Sequence, residues 1–266
     1  LDSLIGINDV KEEINKIVNY VAFCKKKNKK MPMLHMCFMG NPGTGKTTVA
    51  RIIGEIFKER EILSTGRFVE IHGRDLVGQY VGWTAREVQS QIHRAKGGVL
   101  FIDEAYSLNA EHRGSFEDEA IATLIKEMED KRDDLCVVLA GYSNEMKELI
   151  QRNPGFESRI QFYLNFPDYN EDELYEIFKQ MAKKEDYKLT NGAKTELYNN
   201  FKMAINTPNF SNGRYVRNLY EKIKIEQANR VEKEAQADEN LIRKCDVEPF
   251  VVDVKQDTKV KIGFQM

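Results

Sequence analysis

A short glycine-rich stretch carries the clearest chemistry in this sequence. Residues 40–47 read Gly-Asn-Pro-Gly-Thr-Gly-Lys-Thr and fit the pattern GxxxxGK[ST]. Glycines let the backbone curl so that several N–H groups point at phosphate oxygens, and Lys46 can reach the β- and γ-phosphates of a nucleotide. The hydroxyl of Thr47 is suited to ligate Mg²⁺. We therefore predict a Mg-ATP site whose contacts come from Asn41, Pro42, Gly43, Thr44, Gly45, Lys46, Thr47 and Thr48.

A pair of carboxylates is the second candidate for catalysis. Residues 99–102 are Val-Leu-Phe-Ile, and Asp103 and Glu104 follow directly. If this strand neighbours the strand before the glycine-rich loop, Asp103 faces the Mg²⁺ held by Thr47. Glu104 is then placed to polarise the attacking water as a general base. Acidic residues are common in turns, so the catalytic interpretation depends on the loop at 40–47.

The elements that would position these residues alternate between strands and helices. Apolar runs of strand length occur near residues 33–39, 68–71, 99–102, 135–140 and 160–166. Strands that are apolar throughout and alternate with helices indicate a parallel sheet covered on both faces. A capping box at 84–87 predicts the start of one of the helices. A helix with apolar residues at 14, 17, 18 and 21 precedes the first strand.

The pattern changes at Pro167. From residue 170 to about 237 only helical periodicity is visible, and the tail at 250–262 has the composition of a hairpin. We therefore predict an α/β nucleotide-binding domain over 1–167 and a helical domain with a C-terminal tail over 168–266.

Composition narrows the class of protein. The chain has 266 residues, of which 41% are hydrophobic and 31% charged, with a formal net charge of -2. These values are typical of a soluble globular protein and give no general reason to expect nucleic-acid binding. The four cysteines are widely spaced, which predicts neither a zinc site nor disulfides. With no apolar run of membrane-span length and no signal-peptide pattern, we expect a cytoplasmic protein that does not bind membranes.

Beyond the two chemical motifs, the sequence resembles the AAA+ superfamily and, within it, the CbbX/CfxQ group that includes stage V sporulation protein K. The stretches that carry this resemblance are residues 34–48, 75–82, 97–106, 153–156, 158–160, 166–169 and 227–230. The resemblance implies a P-loop αβα sandwich followed by a small all-α lid, with ATP held where they meet. It also implies a ring of identical subunits, expected to be a hexamer, that pulls a protein segment through its pore.

The resemblance gives several further residues candidate roles. Tyr80, Val81 and Gly82 look like the pore loop that grips a substrate, although residue type alone favours a partly buried tyrosine at position 80. Arg159 resembles an arginine finger that reaches the next subunit's nucleotide, and Arg152 is the second candidate. Residue type alone favours a surface salt bridge for Arg159.

Three more positions acquire roles that have explicit alternatives. Arg214 resembles the lid's sensor arginine, with Arg217 as the alternative. Asn144 lies where the family has its sensor-1 polar residue, but it is equally suited to cap a helix. Ile5, Gly6 and Val10 lie where the family packs the adenine, and a plain hydrophobic staple at the helix start is the alternative.

Taken together, these features predict an ATP-driven protein remodeller with a self-assembling ring and a protein substrate. A red-type Rubisco activase is one alternative, although Glu157 stands where that activase has a basic residue. A nucleotide-gated binding module is another, but a pure switch does not need the general base Glu104. A nucleic-acid motor is disfavoured by the acidic balance and the lack of a basic, aromatic stripe.

Overall fold

The computed structural model describes residues 1, 4–78, 80, 82–109, 115–208, 210–234 and 238–251. The chain divides into two compact units, Leu1–Pro167 and Asp168–Met266. Among the residues described, no helix combines the length and the apolar composition that crossing a bilayer requires.

A five-stranded sheet forms the centre of the first unit, and all of its strand pairs are parallel. The strands are β1 Met36–Gly40, β2 Phe68–His72, β3 Val99–Asp103, β4 Cys136–Gly141 and β5 Phe162–Phe166. The parallel sheet predicted from the sequence is confirmed. The spatial order is β2-β3-β4-β1-β5, so β4 separates the strand of the glycine-rich loop from the strand that ends at Asp103. The expectation that β1 and β3 are adjacent is therefore wrong.

Six helices accompany the sheet within the described part of the first unit. They are α1 Asn8–Lys26, α2 Lys46–Glu59, α3 Trp83–Ala95, α4 Phe116–Asp130, α5 Ser143–Arg152 and α6 Pro154–Glu157. On one face, α3, α4 and α5 share a buried core with alternate residues of β3 and β4. Helix α2 contacts β3 and helix α1 contacts β5. The predicted apolar stripe of α1 is buried, which is the usual source of stability for an amphipathic helix.

The start of α3 differs from the sequence-based prediction. The helix begins at Trp83 with Gly82 as its N-cap, and no side chain caps it, so the predicted capping box at 84–87 is wrong. The hydroxyl of Thr84, which is fully buried, instead accepts a hydrogen bond from the Gly78 N–H at 3.1 Å. This bond ties Gly78 to the first turn of α3.

Helices dominate the second unit, as predicted. They are α7 Glu171–Lys184, α8 Asn191–Ala204, α9 Gly213–Lys233 and the short α10 Lys244–Val247. The rings of Phe178, Phe201 and Tyr220 join α7, α8 and α9 at their core. A feature not predicted is a two-residue parallel pair, β6 Lys188–Leu189 with β7 Leu241–Ile242. Of the tail predicted as a hairpin, Phe250 lies in a short 3-10 turn, and residues 252–262 are outside the described part of the chain.

Candidate nucleotide site

The loop of residues 41–45 joins the end of β1 to the start of α2. Gly45 adopts a left-handed φ of 94°, which lets α2 begin at Lys46 directly after a tight turn. The Lys46 ammonium donates hydrogen bonds to the carbonyl oxygens of Gly40 and Asn41, each at 2.8 Å. The buried Thr44 hydroxyl donates to the same Asn41 oxygen at 2.8 Å. These bonds draw the loop around the ammonium at the N-terminus of α2, where anions bind favourably.

Close packing against β5 explains the glycine at position 40. A Cβ atom added to Gly40 would lie 2.3 Å from the carbonyl oxygen of Phe166. Any larger residue would push β1 away from β5 and shift the base of the loop.

Asp103 and Glu104 lie at the carboxyl edge of the sheet, the edge at which β1 ends in the glycine-rich loop. Asp103 is the last residue of β3, and its Oδ1 accepts a hydrogen bond from the Glu104 N–H at 3.0 Å. Glu104 has a left-handed φ of 49°, which turns the chain immediately after the strand. Both carboxylates are half-buried. Ligands bind characteristically at this edge of open parallel sheets.

Arg74 is a site residue that the sequence analysis missed. Its Nη2 lies 3.3 Å from Glu104 Oε2, and it belongs to the 3-10 turn Gly73–Leu76 that follows β2. Strand register explains the contact, because His72 of β2 pairs with Asp103 of β3 and the residues after both strands meet. Predicting this contact requires knowing that β2 pairs with β3, and residue spacing alone does not reveal that pairing.

Tyr106 is a second residue that sequence reasoning passed over. Its ring packs closely against Gly141 at the end of β4 and lies 5.7 Å from the Tyr142 ring between centroids. Burial, followed by the negative charge of Glu104, raises the pKa of Tyr106 to about 12. The phenol therefore stays protonated and remains a hydrogen-bond donor near the acidic pair.

Asn144 lies in the first turn of α5, just after β4, and it is exposed. The N-cap of α5 is Tyr142, and no side chain caps the helix, so the capping alternative for Asn144 is wrong. Ile5 and Gly6 are half-buried before α1, whose N-cap is Ile7. The position before that N-cap is Gly6, which has no side chain, so the predicted staple is also wrong.

The two candidate trans arginines differ in their surroundings. Arg159 has a side chain that is 23% exposed, and its Nε lies 3.3 Å from Glu129 Oε2. It also donates to the Gly155 carbonyl at 3.1 Å. Arg152 is 55% exposed, and its Nη2 lies 2.9 Å from Glu148 Oε1. The ion pair anticipated for Arg159 from residue type is thus present within the subunit.

The predicted pore-loop tyrosine is exposed. Tyr80 has 61% of its surface accessible, and its ring meets that of Trp83 edge-on at 4.9 Å between centroids. Trp83 is itself 56% exposed. The alternative of a partly buried tyrosine is therefore wrong, while Val81 lies outside the described residues.

Arg214 and Arg217 both lie in the first two turns of α9 in the second unit, and both are exposed. Within the described ranges, neither side chain forms an ion pair.

Comparisons with known proteins identify the family to which the chain belongs. The family described as "ATPase family associated with various cellular activities (AAA)" matches residues 36–168, and the AAA lid domain matches residues 170–257. Stage V sporulation protein K of Bacillus subtilis is 42% identical over 230 residues, which cover 84% of this chain and 71% of that protein. Protein CbbX of Cereibacter sphaeroides is 41% identical over 234 residues, covering 86% and 76%.

A solved structure supports the fold independently. The FIGL-1 AAA domain in complex with ADP superposes with a TM-score of 0.67 at 18% identity, covering 96% of this chain and 85% of that one. At 18% identity, this similarity supports the fold and nothing further. The family match and the two curated relatives go further: the chain belongs to the AAA family of nucleotide-binding ATPases and, within it, to the group of CbbX, CfxQ and stage V sporulation protein K, and it is an ATP-hydrolysing enzyme.

Proposed function

We propose that the loop at 40–47 holds the triphosphate of ATP and that Glu104 activates the water that attacks it. The observation that supports this proposal most is that both groups lie at the same edge of the sheet: the loop that leads to Lys46 follows β1, and the acidic pair stands at the end of β3. In this arrangement the Lys46 ammonium exchanges loop carbonyls for phosphate oxygens, and Glu104 takes the proton from water as it attacks. The contacts to the nucleotide are assigned to Asn41, Pro42, Gly43, Thr44, Gly45, Lys46, Thr47 and Thr48.

The residues present suit Mg²⁺ as the metal. The proposed protein ligands are one hydroxyl, from Thr47, and one carboxylate, from Asp103. Over the described residues, no three His, Cys, Asp or Glu side chains gather into a metal-binding cluster. That donor set fits an ion that keeps its waters and binds mainly through substrate phosphates rather than in an all-protein cage. When bound, such an ion neutralises charge that develops on the phosphates.

Three further groups complete the proposed catalytic machinery. Asn144, exposed just after β4, would orient the attacking water or the terminal phosphate. Arg214 of the second unit would contact the nucleotide within its own subunit, and Arg159 would reach it from the next subunit. For Arg159 this requires release of its contact with Glu129, which leaves that carboxylate paired with Arg132 at 2.6 Å. Ile5 and Gly6 are proposed to border the adenine.

We also propose that the enzyme works as a ring, expected to be a hexamer, that pulls on a protein substrate. Two exposed aromatic rings that contact each other, Tyr80 and Trp83, support a role in gripping a polypeptide. Arg74, six residues before Tyr80, contacts Glu104 and would link substrate contact to hydrolysis. Glu157 argues against assigning the substrate as Rubisco.

Two substitutions separate nucleotide binding from hydrolysis. Lys46→Ala is expected to abolish binding of a fluorescent ATP analogue. Glu104→Gln is expected to retain binding while turnover falls by about 10²–10⁴-fold, the usual contribution of a general base. The exposed residues Lys58 and Glu59 of α2 supply matched controls, Lys58→Ala and Glu59→Gln, which should keep both properties. Turnover by Glu104→Gln at the wild-type rate would exclude Glu104 as the base.

A further inference from the structure

Asn212 uses both ends of its side-chain amide to hold the first residues of the second unit. Its Oδ1 accepts a hydrogen bond from the Tyr169 N–H at 2.9 Å, and its Nδ2 donates to Asp168 Oδ1 at 2.7 Å. Asn212 is completely buried, and Tyr169 is 9% exposed. A buried amide with both polar ends bonded contributes more to a fixed geometry than an exposed one, because water does not compete for the bonds.

The backbone of Asn212 is strained. Its φ of 49° and ψ of -125° lie in a region that residues other than glycine rarely adopt. Glycine, the residue that follows at position 213, has no Cβ atom and would adopt this conformation at 212 without strain. Strain of this kind persists where the surrounding contacts impose it, and the two side-chain bonds are among those contacts here.

The position of Asn212 in the second unit suggests a role for its strained conformation. Asp168 is the first residue of the second unit, directly after Pro167, and Asn212 is the N-cap of α9. Arg214 follows two residues later, in the first turn of that helix. We propose that Asn212 is a positioning residue: it clamps the segment through which the chain enters the second unit to the start of α9, and so fixes the direction in which Arg214 acts. The proposal rests on the nucleotide role proposed for Arg214.

A swap of the two side chains tests the clamp. In Asn212→Asp the Tyr169 contact and the backbone preference are retained, but two carboxylates face each other where Nδ2 met Asp168. Asp168→Asn keeps an oxygen that can accept from Asn212 and is the matched control. The double variant Asp168→Asn/Asn212→Asp restores the bond with donor and acceptor exchanged. We expect kcat/KM for ATP to fall about tenfold in Asn212→Asp, to stay within about twofold in the control, and to recover in the double variant.

Combination with Arg214→Ala separates positioning from general stability. If the clamp acts through Arg214, Asn212→Asp lowers kcat/KM in the wild-type background but has no further effect in Arg214→Ala. Additive losses in the two variants would overturn the proposal, as would failure of the double swap to recover activity while its thermal unfolding matches wild type. If Arg214→Ala alone keeps wild-type kinetics, the role of Arg214 fails, and with it the proposed target of the clamp. Recovery of the unfolding temperature in the double swap would still identify the hydrogen bond.

Discussion

Arg74 Nη2 lies 3.3 Å from Glu104 Oε2, which joins the proposed general base to the segment that leads to Tyr80. Glu104 leaves β3 in a left-handed turn, and Arg74 sits in the turn after β2, so the two meet because their strands are paired. A guanidinium on the base competes with the attacking water for the same carboxylate oxygen. If Glu104 is the base, as proposed, we expect the pair to restrain hydrolysis in this conformation.

The first prediction concerns this ion pair. The side chains of Arg74 and Glu104 are 73% and 40% exposed, so removing Arg74 should change the unfolding free energy by less than about 1 kcal/mol. Basal ATP turnover in Arg74→Ala should rise roughly threefold, which corresponds to release of an interaction of about 0.7 kcal/mol. Steady-state phosphate release measures the basal ATP turnover of Arg74→Ala and of the wild type. Lys16→Ala, which removes an exposed pair with Glu13 on α1, is the control. A drop in basal turnover would contradict a restraining role.

The second prediction uses the aromatic pair at residues 80 and 83. Trp83 is the only tryptophan in the chain, so its fluorescence reports directly on this surface. An unstructured polypeptide without tryptophan should change that emission, and Tyr80→Ala should weaken its binding about tenfold, a loss of about 1.4 kcal/mol. Basal hydrolysis should persist, because Tyr80 lies outside the proposed catalytic machinery.

Trp83→Phe provides the control for this measurement. It keeps an aromatic ring beside Tyr80 but removes the emission, so stimulation of ATP turnover by the polypeptide should survive in it. Unchanged polypeptide binding by Tyr80→Ala would remove the proposed gripping role.

The third prediction asks which arginine acts between subunits. Arg159→Ala should lower turnover by about 10³-fold or more, the scale of an arginine finger, and Glu104→Gln should also be nearly inactive. Mixing the two inactive variants should restore activity, since an intact Glu104 site can then receive Arg159 from its neighbour. The same mixture made with Arg152→Ala is the comparison. If only the Arg152 mixture is complemented, the finger is Arg152.

Sequence patterns predict the individual strands, helices and motifs well, but they do not predict how the strands are ordered in the sheet. The loop at 40–47 and the apolar strand before Asp103 are visible in sequence because their chemistry lies in consecutive residues. Strand order is not, and this is why β1 and β3 were expected to be neighbours although β4 lies between them. The Arg74–Glu104 contact spans 30 residues and follows from that order.

Capping residues were misjudged for a related reason. Thr84 has the residue type and spacing of a helix cap, yet its hydroxyl accepts a hydrogen bond from Gly78, which lies against the start of α3. When a side chain can bond to several backbone groups, tertiary contacts decide which of them it bonds, and they override the local preference.

The last prediction concerns stability in acid and rests on His35, which is completely buried before β1. Its Nδ1 accepts from the Val137 N–H at 3.1 Å and its Nε2 donates to the Met128 carbonyl at 2.8 Å, so the ring is neutral in the folded protein. Burial lowers the pKa of His35 from 6.5 to about 4. Between these two values the unfolded chain binds more protons than the folded one, so stability is lost as pH falls.

The size of this loss follows from the shift. As pH falls from 7 to 4, His35 should account for a decrease of about 2–3 kcal/mol in the unfolding free energy. Urea titrations at several pH values measure the slope. His35→Gln removes the titrating ring and is expected to unfold more readily at pH 7, because a buried hydrogen-bond pattern is disturbed, but with a shallower dependence on pH below 6.5. A slope equal to that of the wild type would mean that other groups, not the imidazole beneath β4, govern acid unfolding.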